Sequence, residues 1–160
     1  MKHIVGVADM FVSDNEEDTI ITHGLGSCLG IAIYDPVVRV GGLLHVMLPD
    51  SKVDPEKAKE KPFMFVDSGV PMLFRACYAL GAVKNRINVK VAGGACARGD
   101  ADSDFFQIGK RNFLMLRKLL WKNGIMISSY DVGGSESRTM SIDIATGTVI
   151  VRSNGQEKIL

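Results

Sequence analysis

Thr22-His23-Gly24-Leu25-Gly26-Ser27-Cys28 runs into Leu29-Gly30-Ile31-Ala32-Ile33-Tyr34, and Gly41-Gly42-Leu43-Leu44-His45-Val46-Met47-Leu48-Pro49 follows. The segment after the cysteine is apolar and β-branched, the pattern of a buried strand. Asp35-Pro36 breaks it as a turn, and Val38 to Leu48 returns as a second strand. An antiparallel pair joined in this way puts Cys28 at the start of one strand and His45 towards the end of its neighbour. Both then face the same end of the sheet, where side chains can meet.

A thiolate–imidazole pair needs that geometry. The thiolate is the nucleophile, and an adjacent imidazolium lowers the thiol pKa and can return its proton to a leaving group. Gly24 and Gly26 lack a Cβ, so the backbone can turn sharply there and aim N–H groups inward. Donors of the turn at Gly26 and Ser27, with the N–H of Cys28, are candidates to hold an oxyanion. Thr22 ends the preceding strand, and its hydroxyl or its carbonyl is placed to fix the ring of His45, as a third member does in other triads. A plainer reading stands beside this one: a cysteine on a strand is commonly core, and a histidine in an apolar strand is commonly a satisfied structural group.

Outward from these segments, the landmarks continue in Ala92-Gly93-Gly94-Ala95, Ile108-Gly109-Lys110-Arg111-Asn112 and Asp131-Val132-Gly133-Gly134 with Arg138. Together with Thr22, Leu25-Gly26-Ser27-Cys28 and Gly42-Leu43-Leu44-His45-Val46-Met47-Leu48-Pro49, they give the chain a resemblance to the CheD family, the chemoreceptor glutamine deamidases of bacterial chemotaxis. The resemblance covers nearly the whole chain in family order. It implies that Cys28 is the nucleophile, His45 the base and acid, and Thr22 the third member. It implies as substrate a glutamine on the cytoplasmic region of a methyl-accepting chemotaxis receptor, and as partner a CheC-type phosphatase of the response regulator CheY. It also implies a fold shared with the catalytic domain of the cytotoxic necrotizing factor toxins. One departure is His23, where an apolar residue is expected; strand alternation points it away from Thr22, towards a rim or spectator position.

The 160 residues suit one domain, spanning 1–160, long enough to bury a core. Hydrophobic content of 46% and charged content of 23% are ordinary for a soluble globular chain. A net charge of +1 offers no basic field for nucleic acid or acidic lipid. Cys28, Cys77 and Cys96 show no CxxC spacing, and the N-terminus has no secretion-signal pattern, which points to a reducing, cytoplasmic setting. No apolar run reaches the length of a membrane span.

The remaining chain reads as follows. His3 to Val12 is an opening strand and Thr19 to Thr22 a second. Pro49 to Pro62 is an exposed loop that leaves beside the site. Phe63 to Leu80 is a helix, with Asp67 or Ser68 as N-cap, Pro71 in its first turn and Gly81 as its stop. Its apolar stripe is Val70, Leu73, Phe74, Cys77, Tyr78 and Leu80. Arg86 to Gly93 is a strand. Phe105 and Phe106 either tuck under the next helix or form an exposed anchor for a partner. Gln107 to Asn123 is a helix with Phe113, Leu114, Leu116, Leu119, Leu120 and Trp121 on its apolar side and a basic opposite face. Ile125 to Val132, Arg138 to Ile144 and Thr148 to Arg152 are strands, the last two joined by Thr146-Gly147, and Ser153 to Leu160 is frayed. Arg138 serves a conformational turn or faces the substrate amide, and is kept outside the catalytic set. The class is α/β: a sandwich of mixed, largely antiparallel sheet with flanking helices.

Two function classes follow. The first is side-chain amide hydrolysis through a Cys28 thioester, possible also for a glutamyl methyl ester, and calling for no metal or cofactor. The second is a binding module for the phosphatase, with Phe105 and Phe106 as the contact. A metal site built from His23, Cys28, His45 and Cys96 is a weaker third, because local ligand pairs at structural-site spacing are missing.

Overall fold

The computed structural model describes residues 1–96 and 107–160. Among these, the strands are β1 (Lys2–Val5), β2 (Asp9–Ser13), β3 (Thr19–Leu25), β4 (Leu29–Asp35), β5 (Val40–Val46), β6 (Asn88–Gly93), β7 (Ser129–Val132), β8 (Arg138–Asp143), β9 (Val149–Ser153) and β10 (Gln156–Ile159). The helices are α1 (Pro55–Glu60), α2 (Val66–Ala79) and α3 (Ile108–Lys122). One five-stranded sheet has the order β1-β3-β8-β9-β10 and the other β2-β5-β4-β6-β7. Each sheet is antiparallel except for one parallel pair, β1 with β3 and β6 with β7. The expected α/β sandwich of mixed, largely antiparallel sheet is therefore the observed class.

Two apolar layers explain the stacking. Leu29, Ile31, Ile33, Leu44 and Val46 of the second sheet pack against Leu73 of α2 and Leu116 and Leu120 of α3. The opposite face of that sheet contributes Ala32, Tyr34 and Leu43, which pack on Ile20, Met140, Ile142 and Val151 of the first sheet. Strand β4 thus lies between helices and sheet, and all seven of its residues are buried. A strand covered on both faces reads as a continuous apolar run, as Leu29 to Tyr34 does.

The structure corrects several expectations. His3 to Val12 is not one strand, because Ala8 adopts φ 58 and its N–H donates to the His45 carbonyl at 2.9 Å. The chain turns there and passes from one sheet to the other. Pro49 to Pro62 is not a plain loop: it holds a 3-10 turn at Ser51–Val53 and the short helix α1, which Asp54 caps at the Lys57 N–H. No residue of α1 is buried, so it leaves no apolar period to read. Helix α2 starts at Val66 with Phe65 as its N-cap. Asp67 instead accepts from the N–H and hydroxyl of Ser51, and Ser68 donates to the Pro62 carbonyl. Pro71 consequently sits inside α2 rather than in its first turn. Tyr78 and Leu80 lie half-exposed, off the buried stripe.

Helix α3 buries Gly109, Asn112, Leu116 and Leu120, while Leu114 and Trp121 are turned to solvent. The strand expected from Ile125 begins only at Ser129. The C-terminal residues do not fray. Asn154 and Gly155, at φ 52 and 77, close a hairpin that pairs β10 with β9. Asn-Gly is a strong hairpin signal, but every residue of β10 is exposed and shows no alternation. Phe105 and Phe106 lie outside the described residues.

Candidate active site

The site forms where the two sheets face each other. Thr22 stands on β3 of the first sheet and His45 on β5 of the second, and both are wholly buried. Thr22 Oγ1 lies 2.7 Å from His45 Nδ1 and 2.8 Å from the Val5 carbonyl. A carbonyl only accepts, so the single hydroxyl proton goes to Val5. Thr22 Oγ1 must then accept from His45 Nδ1–H, which leaves the lone pair of neutral imidazole on Nε2. His45 Nε2 has no hydrogen-bond partner among the described residues. A buried nitrogen of this kind is costly to leave unpaired, and its lone pair is open to a proton. Of the two options for Thr22, the hydroxyl is the group that holds the histidine.

Cys28 stands one residue before β4 and is half-buried. Gly30 is the register partner of His45. Cys28, two residues earlier, shares the face of Gly30 and is therefore diagonal to His45. That face is the inter-sheet one, where Cys28 packs against the cluster containing Leu25 and Met140. Gly30 lets the sheets close over it: a Cβ there would come 2.8 Å from Met140 Sδ. Burial pushes the Cys28 thiol up from its usual pKa, partly offset by its own backbone N–H. Burial likewise pushes His45 down. Burial thus disfavours the charged form of both groups, raising the thiol and lowering the imidazole.

The turn that delivers Cys28 begins with an irregularity in β3 between Thr22 and Leu25, where Gly24 adopts φ 67. The N–H of Gly26 donates to the Gly24 carbonyl at 3.1 Å, so it is engaged within the turn. Three successive carbonyls are then tied down. Gly26 O accepts from Ala95 N at 2.8 Å, Ser27 O from Asn112 Nδ2 at 3.0 Å, and Cys28 O from Gly94 N at 2.9 Å. In a trans peptide the N–H points opposite to the C=O, so these bonds set the directions of the Ser27 and Cys28 N–H groups. Neither N–H donates to a carbonyl among the described residues.

The remaining candidates lie elsewhere. His23 is exposed, with Nδ1 3.4 Å from Thr139 Oγ1, on the face of β3 opposite Thr22. Arg138 is a clamp: it donates to the carbonyls of Gly93 and Gly133 at 3.1 and 2.8 Å and pairs with Asp131 at 3.3 Å. It thereby fixes the strand end against which the Cys28 carbonyl rests. Cys77 is buried on α2, with its thiol pushed up to about 12 by desolvation, a packing group as read. No cluster of three or more His, Cys, Asp or Glu side chains suited to a metal occurs among the described residues. No helix among them is long and apolar enough to cross a membrane. Gly93-Gly94-Ala95 and Asn112, which the sequence offers only as landmarks of the resemblance, take a role here as the groups that hold the Cys28 turn; a polar amide in the apolar line of α3 is the signal for the latter.

Comparison with known proteins places the chain in a family. Residues 47–153 match the family model described as CheD chemotactic sensory transduction. A protein of Syntrophus aciditrophicus named "probable chemoreceptor glutamine deamidase CheD 1" is 52% identical over 152 residues, 95% of this chain and 94% of that protein. Proteins of Solibacter usitatus and Anaeromyxobacter dehalogenans with corresponding names are 45% and 42% identical, over 98% and 95% of this chain and 92% and 94% of their own lengths. The family model begins after His45, but these alignments leave too few residues uncovered to omit the stretch from Thr22 to His45. Over nearly its whole length, the chain belongs to the CheD family.

Proposed function

We propose that the protein is a chemoreceptor glutamine deamidase that works through a Cys28 thioester. The observation that carries this reading is the Val5–Thr22–His45 hydrogen-bond chain, which leaves an unpaired imidazole lone pair on the sheet face that carries Cys28. A substrate glutamine seated over Cys28 receives Sγ at its carboxamide carbon while His45 Nε2 takes the thiol proton. The N–H groups of Ser27 and Cys28 hold the oxygen as it gains charge. His45 returns the proton to the amide nitrogen, the C–N bond breaks, ammonia leaves, and a thioester remains. Water then attacks the thioester as His45 accepts its proton. Collapse breaks the C–S bond, the proton returns to sulfur, and the product is glutamate. The same steps would hydrolyse a glutamyl methyl ester, with methanol as the leaving group.

The fold kinship with the cytotoxic necrotizing factor catalytic domain belongs to this proposal and rests on the resemblance. So does docking to a CheC-type phosphatase; Phe105 and Phe106 as its contact rest on their being adjacent aromatics, and a cytoplasmic setting on the cysteine usage. Incubating a receptor cytoplasmic fragment with wild-type protein and with Cys28→Ala, followed by peptide mass spectrometry, tests the reading. Conversion of defined glutamines to glutamates by the wild type alone is the expected result. Equal conversion by Cys28→Ala overturns the nucleophile, and no conversion by either moves the weight to the binding module.

A further inference from the structure

We propose that Asn112 is a positioning residue that aims the Cys28 N–H at the developing oxyanion. The proposal deepens the deamidase reading and rests on it. Asn112 is wholly buried on α3, in line with Gly109, Leu116 and Leu120. An amide in that line gives up apolar packing and must recover it through hydrogen bonds. Its Nδ2 donates to Ser27 O and to Met47 O, each at 3.0 Å. The assignment is forced, since the flipped amide would set Oδ1 against two carbonyl oxygens. Its own Oδ1 has no partner among the described residues, so the fold leaves one buried acceptor unpaired while both N–H groups are used.

The two carbonyls lie just past the last pair of the β4–β5 ladder, Leu29 with Val46. One nitrogen therefore spans the opening between the Cys28 turn and the strand that has just delivered His45. The Ser27 carbonyl belongs to the same planar peptide as the Cys28 N–H. Holding the oxygen from the α3 side points the N–H the opposite way. The fixed bond to Met47 O keeps that peptide in register with the His45 strand. Gly109, one turn earlier, allows the approach: a Cβ there would lie 2.5 Å from Gly94 C and O. Asn112 touches no reacting atom; it acts through the backbone.

The test separates oxyanion support from general damage. Iodoacetamide alkylates a thiol by displacement at a saturated carbon, which draws on thiol reactivity and needs no oxyanion donor, whereas amide hydrolysis needs both. For Asn112→Ala and Asn112→Asp, deamidation kcat is expected to fall about 100-fold or more, the loss typical for one oxyanion donor. KM and the rate and pH profile of Cys28 alkylation are expected to stay within about threefold of wild type. A folded variant with near-wild-type kcat overturns the proposal. So does a parallel collapse of alkylation and turnover, which would make Asn112 merely structural.

If neither variant folds, the wild type bound to a peptide whose glutamine amide is replaced by an aldehyde gives the answer. On hemithioacetal formation the Cys28 amide proton is expected to move downfield in NMR spectra, with the Asn112 side-chain protons still protected from exchange. An unmoved Cys28 amide, or exchanging Asn112 protons, overturns it. Absent turnover of receptor glutamines in the wild type would instead count against the deamidase reading, leaving this arm to judge Asn112 on its own.

Discussion

Thr22 contributes one hydroxyl to the site, and the direction of its single proton decides which nitrogen of His45 is basic. Thr22→Val keeps the shape but removes the acceptor at Nδ1. The ring then loses both its tautomer and its orientation. Turnover of a receptor fragment is expected to fall roughly 10- to 100-fold, by analogy with the loss of a group that orients a working histidine. Chemical denaturation should show a loss of about 1–3 kcal/mol as well, because valine fills the space but leaves the Val5 carbonyl and His45 Nδ1 buried without a partner; turnover is therefore compared on the folded variant. The pH profile follows from burial. His45 is held below its ordinary 6.5 and in the proposed mechanism takes the thiol proton when neutral, so the acid limb of kcat/KM is expected below pH 6.5. Cys28 is held above its ordinary 9.0, so thiolate-dependent alkylation of the free protein should rise only above that pH. An acid limb above 6.5 would contradict the environment described for His45. The stability contribution has the same sign: below 6.5 the unfolded chain binds the proton more readily than the folded one, and stability falls as pH falls towards the folded value.

Among the elements, α3 shows most clearly how packing overrides propensity. Replacing a helical glycine by alanine ordinarily stabilises by about 1 kcal/mol. At Gly109 a Cβ would meet backbone atoms of Gly94 and Ala95 at 2.5 to 2.7 Å, and backbone does not yield as a flexible side chain does. Overpacking costs about 1–3 kcal/mol, so Gly109→Ala is expected to destabilise, with activity reduced through the displaced Gly94. Urea midpoints of the two proteins decide the sign. The same helix marks the limit of what the sequence discloses. Its existence and length are legible from periodicity and from Gly124, the glycine after Asn123 that ends the helix at φ 72, but Leu114 and Trp121 fit the apolar stripe on paper and face solvent in the fold. The buried line is set instead by the closest approach, at Gly109, and by the polar requirement of two stranded carbonyls, neither of which has a hydropathy signature. The Cys28 and His45 strands were legible for the opposite reason: β4 is covered on both faces, so its apolar run is continuous. The break at Ala8 was hidden because a non-glycine residue in the left-handed region carries no punctuation.

Across the molecule, Asp35 ties distant parts together. Its carboxylate, at the end of β4, accepts from Val37 N, Val83 N and Arg86, and so holds the segment after α2 onto the central strand. Burial works against its charge, but the Arg86 guanidinium and the two backbone N–H groups outweigh it and keep the carboxyl below its ordinary value. A depressed carboxylate stabilises above the unfolded value of 3.8, and that contribution is lost as pH falls through the folded one. Asp35→Ala is expected to cost about 1–3 kcal/mol at neutral pH, since it leaves the N–H groups of Val37 and Val83 without their acceptor while solvent takes over part of the half-exposed Arg86 guanidinium. The cost should shrink in acid, which urea titrations at pH 7 and near pH 3 would reveal.

The Val5–Thr22–His45 chain has a mechanical corollary. Its acceptor and hydroxyl ride on one slab of the sandwich and its imidazole on the other, so the proton's address is written in the alignment of two separately hydrogen-bonded slabs. In the proposed mechanism, a slip too small to disturb either slab would silence the base while leaving every strand intact. Catalytic competence is thus a vernier on how the slabs sit, losing its reading well before the molecule loses its shape.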